Sequence, residues 1–281
     1  MSYLPPRWPI PADLKVIEVN QYPLSYREQG SGVPLVLVHG SICDYRIWTS
    51  QVEILARQHR VLAPSLRHYF PEIWDRSGSD FSFAQHTDDL IGFIEALRLG
   101  RVHLLGHSRG GAVAIEVAKR RPNLIRTLIL EDTAARLELP DNEESRKAAA
   151  FREKLFGDLR EHYAAGKGEQ GIAIFIDRLI GPGTWETLPP EIRDQALQNI
   201  TTAIVDDPLP LTTDEDLQKF RFPVLMMNGE RSPPVYHLIA REMQRRGGLE
   251  QAVTITDAGH AMHIENPTDF TAQVLAFTAA H

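Results

Sequence analysis

The sequence predicts an α/β protein: a mostly parallel eight-stranded sheet flanked by helices, with a block of helices inserted after the sixth strand. Three observations carry this. Short β-branched or leucine-rich runs recur between longer amphipathic stretches. Two of the runs, Pro34-Leu35-Val36-Leu37-Val38 and Val102-His103-Leu104-Leu105, are almost continuously apolar, as central parallel strands buried on both faces must be. Between residues 133 and 218 the strand signal stops and helical spacing takes over, with Phe151, Leu155 and Leu159 four apart on one face.

In chain order, strands are expected at residues 16–19, 24–28, 35–38, 61–63, 102–105, 128–130, 224–227 and 253–256, with Gly30-Ser31-Gly32 turning the second into the third. Helices are expected at 48–57, 86–97, 110–120, 235–245 and 267–279. Residues 1–132 and 219–281 then form the core and 133–218 a helical cap. Pro208, Pro210 and Pro223 mark the return to the sheet, which puts the cap over the carboxyl ends of the strands, where open α/β sheets keep their ligand crevice.

The 281 residues are enough for one large domain or two ordinary ones, and 43% apolar against 24% charged residues excludes a disordered chain. A net charge of −7 gives no footprint for a phosphate backbone, so nucleic acid is not an expected partner. The single Cys43 rules out an internal disulfide and a thiolate cluster. It is expected as a small buried thiol rather than a reactive one, because nothing basic nearby would depress its pKa. Residues 1–8 lack a basic and an apolar leader segment, and no apolar run approaches the length of a membrane span, so the chain is expected to be soluble and cytoplasmic. Monomer and homodimer stay open.

The chemistry is expected where residues 102–105 run into Gly106-His107-Ser108-Arg109-Gly110-Gly111, a G-x-S-x-G pattern between a strand and a helix. Ser108 must sit in a tight, strained turn that leaves no room for neighbouring side chains, and its glycines provide that room. A serine hydroxyl needs a base within hydrogen-bond reach. Of 11 histidines, His260 follows the last strand in Ala258-Gly259-His260, with His263 the runner-up and His107 assigned to packing. An oxyanion needs two backbone donors. Arg109, after the nucleophile, supplies one, and Ser41, in His39-Gly40-Ser41-Ile42 after the third strand, the other.

With His39-Gly40, Gly106 to Gly110 and Gly259-His260 in this order and setting, the chain resembles the α/β-hydrolase fold superfamily, in its cap-bearing branch. The resemblance covers nearly the whole chain and implies a serine hydrolase acting on an ester, lactone or other activated carbonyl of a small organic substrate, with no cofactor and no metal. It also implies a triad acid, usually placed after the seventh strand. There the chain reads Asn228-Gly229-Glu230-Arg231-Ser232, with serine at the expected position. Some relatives carry the acid after the sixth strand, where Glu131 and Asp132 stand, and adjacent strand residues face opposite ways. Asp132 is the choice by similarity, with Glu131 and Glu230 as alternatives and Ser232 a bystander.

A second departure is the long aromatic loop 64–75, whose Phe70 and Trp74 either line the pocket mouth or pack on the sheet. Two other functions stay open: a cofactor-free dioxygenase of the same fold, in which histidine and acid deprotonate the substrate, and a ligand-binding protein without turnover.

Overall fold

The computed structural model describes residues 10–249 and 251–281; the expectation for residues 1–8 lies outside this range. Eight strands form one sheet: β1 (Lys15–Val19), β2 (Tyr22–Gln29), β3 (Pro34–Val38), β4 (Arg60–Pro64), β5 (Val102–His107), β6 (Ile125–Glu131), β7 (Val224–Gly229) and β8 (Gln251–Ile255). Their spatial order is β1-β2-β4-β3-β5-β6-β7-β8. β2 runs antiparallel to both its neighbours, and every pair from β4 onward is parallel. All eight expected strands are present, with ends shifted by a few residues.

The two-residue period of the strands sorts side chains into two cores. Val36, Val38, Leu62 and Leu104 face one side. Leu35, Leu37, Val61, Ala63 and Leu105 face the other. The helices are α1 (Thr49–Leu55), α2 (Phe83–Ala96), α3 (Arg109–Arg120), α4 (Glu143–Ala164), α5 (Gly168–Leu179), α6 (Thr184–Thr187), α7 (Pro190–Gln198), α8 (Ile200–Ala203), α9 (Asp214–Gln218), α10 (Pro234–Gly247), α11 (Met262–Glu265) and α12 (Pro267–Ala280). α2, α3 and α10 cover the first core, and α1 and α12 the second. The expected helix at 48–57 is shorter, because the 3₁₀ turn Tyr45–Trp48 takes its start.

Six helices, α4 to α9, lie between β6 and β7. They close around their own apolar cluster, including Leu155, Leu159, Ile172, Phe175 and Trp185, which Ile42 and Tyr236 join from the sheet side. Two buried polar contacts tie these helices down. Arg109 donates to Asp207 at 2.5 Å. Asn199 donates to Asp44 at 2.8 Å and accepts from the Phe70 N–H at 2.9 Å.

The aromatic loop packs rather than lining a mouth. Phe70 and Trp74 are 1% and 5% exposed. Trp74 stacks on Phe81 with centroids 4.8 Å apart. Among the described residues, no helix is long and apolar enough to cross a membrane.

Candidate active site

Ser108 stands between the end of β5 and the start of α3 with φ +52° and ψ −115°, a conformation that non-glycine residues hold only under strain. Glycines make the turn possible. A Cβ on Gly106 would lie 2.4 Å from the Gly110 carbonyl oxygen, and one on Gly110 would lie 2.3 Å from that of Val38. The Ser108 N–H donates to the Glu131 carbonyl at 3.0 Å, which fastens the turn to β6.

Asp132 follows β6 directly and is fully buried. Its Oδ2 lies 3.0 Å from His260 Nδ1. This occupies one ring nitrogen and leaves Nε2 as the one able to take a proton from a neighbouring group. The same carboxylate accepts from the Asn228 amide at 2.7 Å and the Ser232 hydroxyl at 2.6 Å. Ser232 was expected to be a bystander, but it stands at the position where the resemblance expects the acid and donates to Asp132. Burial disfavours charge on both partners. It lowers the His260 pKa, so the imidazole is neutral and free to accept a proton. It raises that of Asp132, which the Ser232 and Asn228 donors oppose by stabilising the carboxylate.

The alternatives occupy other places. Glu131 accepts from or donates to His263 Nδ1 at 2.6 Å, so the alternative acid and the alternative base pair with each other. Burial raises the Glu131 pKa to about 8. Glu230 is exposed and accepts from the Asp257 N–H at 3.1 Å. His107 packs against the His260 ring at 4.7 Å and uses Nε2 on the His260 carbonyl at 3.0 Å. Among the described residues, His107, Glu131 and His263 are the buried group with the spacing for a cation, their ligand atoms lying within 4.8 Å of one another.

Ser41, Ser108, Arg109 and His260 line one cavity of about 650 Å³, within the usual range for a small-molecule site. Arg109 is the first residue of α3, so its N–H is one of the donors a helix leaves free at its start, at the positive end of the macrodipole. Cys43 also lines the cavity, and burial pushes its thiol well above its ordinary pKa.

Tyr236 was not singled out by the sequence. Pro233 and Pro234 open α10 and swing it in, and its ring stacks on His260 at 4.4 Å and 24°. Its phenol interacts with the Ser108 hydroxyl, and burial keeps it protonated.

The chain matches the profile of the Alpha/beta hydrolase family over residues 35–274. It belongs to that family. A 120-residue stretch, 43% of this alpha/beta hydrolase, is 32% identical to an uncharacterised protein of Mycobacterium tuberculosis. That match spans 35% of the relative's length. Over 104 residues the chain is 36% identical to 2-hydroxy-6-oxo-2,4-heptadienoate hydrolase of Pseudomonas putida, covering 36% of this chain and 37% of that one. Among solved structures, a thermophilic esterase from Thermogutta terrifontis superposes with a TM-score of 0.73 at 26% identity, over 96% of this chain and 99% of that one.

Proposed function

We propose that this alpha/beta hydrolase is a serine hydrolase that cleaves an ester, lactone or other activated carbonyl of a small organic substrate through an acyl-enzyme. The observation that carries the reading is Ser108, held at φ +52° on the wall of the same cavity as a His260 already oriented by Asp132. Similarity to an esterase and to a hydrolase of an organic acid supports it.

In the first half-reaction the Ser108 Oγ bonds to the substrate carbonyl carbon while His260 Nε2 takes the hydroxyl proton. The negative charge that develops on the carbonyl oxygen is met by the N–H groups of Ser41 and Arg109. Asp132 holds the imidazole in the tautomer with Nδ1–H and stabilises the imidazolium. The bond to the leaving group then breaks, and that group departs with the proton from His260. In the second half-reaction water attacks the acyl carbon, gives its proton to His260, and the acyl–Oγ bond breaks as Ser108 recovers a proton. These groups complete acyl transfer without a cofactor.

Residues 133–218 act as a cap over a core of 1–132 and 219–281 and furnish much of the cavity's apolar wall, Phe151, Leu155 and Phe175 included. A panel of p-nitrophenyl esters, lactones and carbon–carbon bond substrates tests the reading. Turnover of at least one, with kcat lower by about 10⁴-fold or more in Ser108→Ala, is the expected result. A Ser108→Ala enzyme within tenfold of wild type would overturn it.

A further inference from the structure

We propose that Arg152, on the cap helix α4, is an anion-binding group of the cavity, and that the site takes substrates carrying a carboxylate several atoms away from the scissile bond. This rests on the serine-hydrolase reading and adds the substrate class to it.

The cavity is lined mainly by apolar side chains. Four arginines line it, Arg109, Arg136, Arg152 and Arg160, and of these Arg109 and Arg152 differ in what answers their charge. Arg109 donates to Asp207 at 2.5 Å and to His86 Nδ1 at 3.2 Å, with its guanidinium 3.9 Å above the Phe83 ring. Its Nη2 is committed to holding the cap on the core, while its buried Nε has no partner among the described residues. Arg152 lies on the stretch of α4 that also gives Ala148, Phe151, Leu155 and Phe156 to the wall. Its guanidinium sits 5.3 Å from the Phe156 ring centre. Among the described residues it has no ion pair and no hydrogen bond.

Arg152 is half-buried, and its five N–H donors are open to an acceptor that a ligand brings into the cavity. Burial lowers its pKa, and the groups that bear on it are Tyr236, Arg109 and Asp207, so it stands close to the reacting end of the cavity. Tyr236 in turn stacks on His260, and both line the cavity with Ser108. A substrate whose carbonyl lies at Ser108 can therefore extend past Tyr236 and present an acceptor to Arg152.

A planar guanidinium matches a carboxylate through two parallel hydrogen bonds, which fixes the orientation of the substrate as well as its affinity. The Arg152 guanidinium balances one negative charge. Asp206 and Glu153 on the same wall oppose a second.

The test compares mono-p-nitrophenyl adipate with p-nitrophenyl hexanoate, esters of equal chain length that differ in the terminal carboxylate. The wild-type enzyme is expected to prefer the anionic ester in kcat/KM. Arg152→Gln should cut that preference about 10- to 100-fold, mostly through KM, the range expected for hydrogen bonds to a charged group. Arg152→Lys should restore part of it. An equal preference in wild type and Arg152→Gln would overturn the proposal.

Where neither ester turns over, calorimetric binding of monomethyl adipate to Ser108→Ala, with and without Arg152→Gln, gives the same answer. Binding weakened by Arg152→Gln supports it, and unchanged or absent binding overturns it. Failure of Ser108 to react with a fluorophosphonate would instead strike the serine reading, so the two failures are distinguishable.

Discussion

Asp132 lies 3.0 Å from His260 Nδ1; in the proposed mechanism it orients that ring, and the residues around it decide whether it can stay ionised. Asp132→Asn keeps the shape of the site but favours the wrong imidazole tautomer, so kcat on an activated ester should fall by about 10⁴-fold. A fully active Asp132→Asn enzyme with an inactive Glu131→Gln would assign the acid to Glu131. Ser232→Ala is a gentler probe, because it removes a 2.6 Å donor from the carboxylate while leaving the Asn228 amide in place. Losing a hydrogen bond to the charged form raises the carboxyl pKa. The acid limb of the kcat/KM profile should then move to higher pH, and a limb that stays put or moves down would remove Ser232 from the site. At this scale the sequence pointed to Ser108, Asp132 and His260, each next to a glycine turn or at a strand end, and the structure places Asp132 against His260 and His260 with Ser108 on one cavity. Ser232, Tyr236 and Arg152 were not readable, because each depends on how a helix or loop docks against another part of the chain.

Elements hold the site through a few buried contacts between the sheet and the inserted helices. The Arg109–Asp207 pair is the clearest, with side chains 8% and 10% exposed. Asp207→Ala leaves a buried guanidinium without its partner, which should destabilise the protein by about 3 kcal/mol and lower Tm by roughly 5–15 °C. Differential scanning fluorimetry checks this, and a Tm within 1 or 2 degrees, on the order of a surface substitution, would mean the pair is not what holds the insertion. The strands were legible because two-sided burial leaves unbroken apolar runs, as in β3 and β5. α11 was missed because its four residues are too short for a helical period to register. The course of α4 to α9 was equally hidden: their apolar faces meet one another and Ile42 or Tyr236 of the core, and periodicity does not say which face meets which.

The whole molecule buries several neutral histidines, and this sets its response to acid. Burial lowers His39 and His103 to about 4 and His107 to about 3, and puts His86 well below its ordinary value. Asp132 with His260 and Glu131 with His263 offset each other, since in each pair burial raises the carboxyl and lowers the imidazole. His39, His86, His103 and His107, with His59, which burial also lowers, take up protons near pH 6.5 when unfolded but not when folded, while His68, whose burial is outweighed by Glu72 and Asp80, is raised and works the other way. Stability therefore falls as pH drops below about 6.5, and Tm at pH 5 should lie about 10 °C or more below that at pH 7.5. A Tm that is flat or higher at pH 5 would contradict this burial pattern. The central claim, that the molecule is built to activate Ser108, has a direct measurement: intact mass after incubation with a fluorophosphonate. One adduct per chain, mapped to Ser108, absent from Ser108→Ala and slow to form in Asp132→Asn, is the predicted result. Folded wild-type protein that stays unlabelled, or that labels at another residue, would contradict it.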